Sequence, residues 1–178
     1  FLGPGDEAIV PNPTFLMYDI MIRCAGSIPV TVPLKTLSID LEAIKQKITS
    51  RTRLILLCNP NNPTGTVFGM DEFENFIREI PHDITVVVDE AYMEFVRDKN
   101  CSSGIACLGT EFPLIILRTF SKAYGLAGLR IGYGVMNEDV SNLLNRVRQP
   151  FNTSLPAQAG AVAALDDASF LKKTVDLV

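Results

Sequence analysis

Apolar positions along the chain follow two alternating rhythms. Short, unbroken, β-branched runs read as strands buried on both faces, and segments with apolar residues at i, i+3, i+4 and i+7 read as amphipathic helices. The first run, Ala8-Ile9-Val10, stops at Pro11. From Phe15 to Cys24, the residues Met17, Ile20, Met21 and Cys24 form a helical stripe. Ile28 to Leu34 is β-branched but interrupted by prolines, which suits the edge of a sheet. Asp40 is placed to cap a helix that turns Leu41, Ile44 and Ile48 inward. Arg53 to Cys58 is a continuous apolar strand. Asp71 and Glu74 then show capping-box spacing ahead of the stripe Phe73, Phe76, Ile77 and Ile80, which Pro81 ends. Ile84 to Val88, Leu114 to Arg118 and Ile131 to Met136 are further strands, the last with Gly132 and Gly134 permitting close approach. Val140, Leu143, Leu144 and Val147 mark another helix, and Ser154 with Pro156 begins an alanine-rich one.

Strand-helix alternation with continuous apolar strands predicts an α/β sheet with helices on both faces. Ligands of such sheets collect at the carboxyl ends of the strands. Asn62, Asp89 and Lys122 each follow a strand pattern, in three separate segments.

Composition narrows the partners. The 178 residues are 47% apolar and 20% charged, which suits one globular domain with a substantial core. A net charge of -4 argues against nucleic acid or an anionic membrane as partner. No apolar stretch is long enough to span a bilayer. The four cysteines at 24, 58, 101 and 107 contain no C-x-x-C pair, and Cys24 and Cys58 stand in apolar runs as small hydrophobes. These features point to a reducing, cytoplasmic setting. The chain opens without methionine and closes within the helical pattern Ala168 to Lys173, which reads as a piece of a longer protein.

The candidate chemistry centres on Lys122, in Ser121-Lys122-Ala123-Tyr124-Gly125-Leu126-Ala127-Gly128-Leu129-Arg130. Alone, a lysine before a loop is most often a solvated charge. With a hydroxyl beside it and an arginine following, it is equipped to hold a phosphate-bearing aldehyde, pyridoxal 5'-phosphate, as a Schiff base. Nearby cations favour its neutral, nucleophilic form. Arg130 would clamp the phosphate with its planar fork, and Ser121 and Thr119 would donate hydroxyls; the alternative for Arg130 is a surface salt bridge. Asp89 could hold a proton on the pyridine nitrogen, or be a turn residue. Glu90 points the other way on a strand and is read as structural. Tyr92 and Asn62 could reach the cofactor's phenolic oxygen, or be a packing aromatic and part of a tight loop. The Asn62-Pro63 and Asn12-Pro13 bonds are candidates for cis geometry. Phe15 would lie against one ring face, or belong to the core. Gly3-Pro4-Gly5-Asp6-Glu7-Ala8 matches G-x-G-x-x-A but precedes its strand, so it is not a dinucleotide fingerprint. His82, the single histidine, has no metal-ligand partners in sequence.

Asn62-Pro63-Thr64-Gly65, Asp89-Glu90-Ala91-Tyr92 and Ser121-Lys122 through Arg130 resemble the fold-type I pyridoxal-phosphate aminotransferases. Pro11-Asn12-Pro13-Thr14-Phe15-Leu16-Met17-Tyr18 and Ala127-Gly128-Leu129-Arg130 look like the histidinol-phosphate aminotransferase branch. The resemblance covers essentially the whole chain. It implies that Lys122 is the Schiff-base lysine and Asp89 the pyridine partner. It makes Tyr92 and Asn62 ligands of the phenolic oxygen, Ser121 and Arg130 ligands of the phosphate, and Phe15 the stacking ring, with Tyr18 a neighbour of Asp89. The implied fold is a three-layer large domain, a mostly parallel mixed sheet with helices on both faces, in a homodimer.

On this reading, residues 1–178 are a cofactor-binding large domain truncated at both ends. A glycine-rich phosphate cradle would precede it, and a small C-terminal domain carrying the substrate arginine would follow. The implied activity is amino-group transfer between histidinol phosphate and 2-oxoglutarate, with the isolated piece inactive. The alternatives are threonine-phosphate decarboxylase, aromatic-amino-acid aminotransferase, or a non-catalytic dimerising domain.

Overall fold

The computed structural model describes residues 1–109 and 112–178. Among the described residues six strands form one sheet: β1 (Glu7–Asn12), β2 (Ile28–Pro33), β3 (Thr52–Cys58), β4 (Thr85–Asp89), β5 (Leu114–Thr119) and β6 (Gly132–Met136). Their order across the sheet is β2-β1-β3-β4-β5-β6. The first five are parallel, and β6 pairs antiparallel to β5. The proline-interrupted strand β2 lies at an edge, as its sequence predicts.

Alternation along the strands supplies both faces. Ile9, Ile55, Leu57, Val86, Val88, Leu114 and Ile116 face α2 (Leu41–Lys45) and α3 (Met70–Glu79), whose Leu41, Ile44, Phe73, Phe76 and Ile77 cover them. Ala8, Val10, Leu54, Cys58, Val87 and Ile115 face α1 (Met17–Cys24) and α4 (Glu138–Val147), which bring Tyr18, Ile22 and Val140. Each fully buried aliphatic or phenylalanine side chain contributes about 1.5–3 kcal/mol to this three-layer stack. Two more helices, α5 (Leu155–Asp166) and α6 (Ala168–Leu177), follow α4. Asp40 caps α2 by accepting from Ala43 N–H at 2.9 Å, and Ser154 caps α5.

Several expectations need correction. The stripe Met17, Ile20, Met21 and Cys24 is helical but faces outward, with Met21 62% exposed. The buried side of α1 is Tyr18 and Ile22, which the sheet selects because the Tyr18 hydroxyl reaches the end of β4. Cys24 is therefore exposed and not a packed hydrophobe, whereas Cys58 is buried. Asp71 and Glu74 do not form a capping box. Gly69 is the N-cap of α3, Asp71 lies in its first turn, and Glu74 pairs with Arg78 at 3.0 Å. Leu143 and Val147 of α4 also face outward.

Gly132 is required by the turn of the sheet into β6. A Cβ there would lie 2.6 Å from the backbone oxygen of Arg118, and backbone cannot give way as a side chain tip can. We expect Gly132→Ala to lower stability by about 1–3 kcal/mol, read as a shift in urea midpoint at constant slope. Burial also decides thiol chemistry: Cys58, Cys101 and Cys107 are buried, and burial pushes the Cys58 thiol up to about 11. Alkylation of the native chain at pH 8 should therefore label Cys24 and leave Cys58 unlabelled by peptide mapping, because only the thiolate reacts. Rapid labelling of Cys58 would contradict this packing.

Candidate active site

Register brings the strand ends level. Cys58 on β3 lies opposite Asp89 on β4, and Asp89 opposite Leu117 on β5. Because β6 runs antiparallel, it starts where β5 stops, with Gly132 opposite Thr119. Arg130, just ahead of β6, thus arrives at the same edge as Thr119, Ser121 and Lys122. A cavity of about 330 Å³ opens there. All eight residues singled out in the sequence line it: Phe15, Asn62, Asp89, Tyr92, Thr119, Ser121, Lys122 and Arg130.

Asp89 is the last residue of β4 and shares a face with Val87, on the α1 side. Its carboxylate is held from two directions: the Tyr18 hydroxyl donates to Oδ2 at 2.7 Å and the Ala91 N–H to Oδ1 at 3.0 Å. Burial, with the negative charge potential of Cys58 and Asp89 behind it, pushes the Tyr18 phenol far above its ordinary range, so Tyr18 remains a neutral donor. Glu90 emerges on the opposite face, as strand alternation predicts. It is 1% exposed and accepts from Gly104 N–H, the Ser103 hydroxyl and Arg118 Nε, at 2.7, 2.8 and 2.7 Å. Two adjacent carboxylates thus have separate environments, one at the cavity and one in an internal ion pair.

The aromatic and amide groups come from two proline turns. Phe15 is 41% exposed, with its ring edge-on to Tyr18 at 5.4 Å, so it is a cavity residue and not core. Asn62 lies in the turn after β3. The peptide bonds before Pro13 and Pro63 are cis, as the sequence suggested, and so is the bond before Pro60, which it did not suggest. Asn61 joins the two turns: its amide accepts from the Thr14 hydroxyl at 2.8 Å and donates to the Pro13 carbonyl at 3.2 Å.

Lys122 and Arg130 occupy the loop between β5 and β6. The Lys122 amine stands 5.3 Å from the centre of the Tyr92 ring, within cation–π range. Arg130 has left-handed backbone (φ 51°, ψ 51°), and its Nη1 donates to the Ala127 carbonyl at 2.9 Å and to the Ser121 hydroxyl at 3.4 Å. Thr119 Oγ1 accepts from Ser121 N–H at 3.1 Å. A second cavity, of about 780 Å³, shares Asn62, Tyr92, Ser121 and Lys122 and extends toward Val67, Phe95 and Arg97.

The donor set shares one cavity: a braced carboxylate on β4, hydroxyls, an amine and a guanidinium from the end of β5 and the β5–β6 loop, and aromatic rings from the turns after β1 and β4. That combination suits a flat ligand with a protonatable nitrogen and an anionic group. Sequence reasoning missed four residues of the wall, Cys58, Ala91, Leu117 and Arg118, of which Arg118 alone carries a charge. The available signal for Arg118 was its place at the end of an apolar strand, where a charge needs a partner.

Residues 1–177 match the family model for aminotransferases of class I and II. The chain is 47% identical over 177 residues to the histidinol-phosphate aminotransferase of Caldicellulosiruptor saccharolyticus, covering 99% of this chain and 49% of that protein. It is 45% identical over 174 residues to the aromatic amino acid aminotransferase of Mycolicibacterium vanbaalenii, covering 98% and 50%. Among solved structures, it resembles the histidinol-phosphate aminotransferase from Sinorhizobium meliloti in complex with pyridoxal-5'-phosphate. The TM-score is 0.92 at 30% identity, over 98% of this chain and 48% of that one. The chain spans about half the length of the curated relatives it matches. On the match over nearly its whole length, together with these relatives, the chain belongs to the class I and II aminotransferases.

Proposed function

We propose that this chain is the cofactor-binding part of a pyridoxal 5'-phosphate-dependent aminotransferase, with histidinol phosphate as amino donor and 2-oxoglutarate as acceptor. The observation that carries the reading is the convergence of an amine, a braced carboxylate, a guanidinium and two hydroxyls on one cavity. When bound, the cofactor supplies an electron-withdrawing ring that stabilises negative charge on the carbon bearing the amino group.

The chain's own residues do the rest. Asp89, oriented by the donors Tyr18 and Ala91 N–H, holds a proton on the ring nitrogen. Tyr92 and Asn62 donate to the phenolic oxygen. Arg130, Ser121 and Thr119 hold the phosphate, and Phe15 covers a ring face. Lys122 provides the primary amine for covalent attachment. As a free amine, Lys122 would act as the base that takes a proton from the donor's α-carbon.

The donor assignment is supported by the names of the relatives with 47% and 49% identity. The 45% identity to an aromatic amino acid aminotransferase supports an aromatic donor as second reading. The activity is proposed for a protein of the relatives' length, acting as a cytoplasmic homodimer. The outward apolar stripe of Met17, Ile20 and Met21 is surface that a second subunit would cover. The 178 residues alone are expected to turn over no substrate.

In the full-length protein, Lys122→Ala should abolish the covalent, borohydride-reducible absorption band and lower kcat at least about 10³-fold. If the variant and wild type bind the cofactor with indistinguishable spectra, the assignment of Lys122 is wrong. Tyr18→Phe removes one donor from Asp89 and should weaken cofactor binding about tenfold in an absorbance titration. Relative kcat/KM for histidinol phosphate and for phenylalanine decides between the two donors.

A further inference from the structure

Arg118 belongs to none of the roles above, yet it lines the cavity. It is the penultimate residue of β5, and its side chain is only 13% exposed. Its Nε donates to Glu90 Oε2 at 2.7 Å and its Nη1 to Glu94 Oε1 at 3.1 Å. Those two carboxylates are 1% and 10% exposed. They stand four residues apart, on either side of Tyr92, in the turn that follows Asp89. The Glu90 end of this turn has other anchors: its N–H donates to the Leu117 carbonyl, and its carboxylate accepts from Ser103 and Gly104. On the Glu94 side chain, the contact made by Arg118 is the ion pair that ties the far end of the turn to β5.

We propose that Arg118 is a positioning residue: by bridging Glu90 and Glu94 it clamps the turn carrying Tyr92 against Lys122, and it balances the charge of two buried carboxylates behind that turn. This rests on the reading of Lys122 as the site of cofactor attachment. A planar guanidinium suits the task because it presents two donors at a fixed angle to two acceptors, where a lysine ammonium offers a single point charge. Charge from this cluster reaches the Lys122 segment: the Tyr124 phenol is raised by burial first and by Glu94 next, with Arg118 opposing.

The sign of the effect follows from the surrounding charges. Asp89, Tyr92, Cys58 and Arg130 face Lys122 across one cavity, and Arg97 and Asp98 across the other. None of these changes in the variants below. Removing Arg118 takes away a cation and leaves two anions, which favours the protonated state at the Lys122 nitrogen. Removing the charge of Glu94 does the reverse.

The test is the pH midpoint of the visible band of the full-length, cofactor-loaded protein. Arg118→Met should raise it by on the order of one pH unit. Glu94→Gln should lower it, and Arg118→Lys should bring it most of the way back. A purely structural role would lower the melting temperature and leave the midpoint unmoved, and that result, or shifts of the same sign in both variants, overturns the proposal. If Arg118→Met does not fold, the direction of the Glu94→Gln shift decides. A wild type that shows no band overturns the cofactor reading, and the role of Arg118 with it; a band with an unmoved midpoint overturns only the role of Arg118.

Discussion

Parallel pairing of β3, β4 and β5 in one register is the constraint on which the rest of this molecule depends. Continuous backbone hydrogen bonding sets Cys58, Asp89 and Leu117 side by side, so three chain segments far apart in sequence leave the sheet at one level. A slip of one residue in β4 would exchange the faces of Asp89 and Glu90. The carboxylate at the cavity would then point into the packed layer beneath α3, and the internal ion pair would open to solvent. Hydrophobic burial enforces the register, because Val86 and Val88 on one face and Val87 on the other each have a matching layer to fill.

The antiparallel strand β6 adds what a purely parallel sheet would not. Its start coincides with the end of β5, so the β5–β6 loop folds over the same edge and carries both cations, Lys122 and Arg130. Close pairing at this corner is possible because residue 132 has no Cβ. Electrostatics then divide the site. Asp89 is braced by neutral donors, and Glu90 and Glu94 are balanced by Arg118, so the negative groups serve different ends within a few residues of chain.

Much of the candidate site was legible in the chain. Asn62, Asp89 and Lys122 could each be placed just after a strand pattern, and the strands themselves were recognisable from their apolar runs. What was not legible was which side a helix would bury. The stripe Met17, Ile20, Met21 and Cys24 has helical spacing, but periodicity reports apolar positions and not the surface they meet. The helix instead packs through Tyr18 and Ile22. Asp71 and Glu74 had the spacing of a cap, but the helix begins at Met70, where the backbone after Gly69 already turns.

Arg118 shows the same limit from the polar side. In sequence it closes an apolar strand and has no visible partner. In the fold, β5 lies beside β4, and the turn beyond β4 brings Glu90 and Glu94 to its guanidinium. By itself the sequence determined the types and order of the elements and the residues that end the strands, because those follow from local spacing and from the chemistry of single side chains. Only the tertiary structure decided which faces were buried, which carboxylate met the cavity and which met an arginine. Those outcomes depend on contacts between segments that no local pattern records.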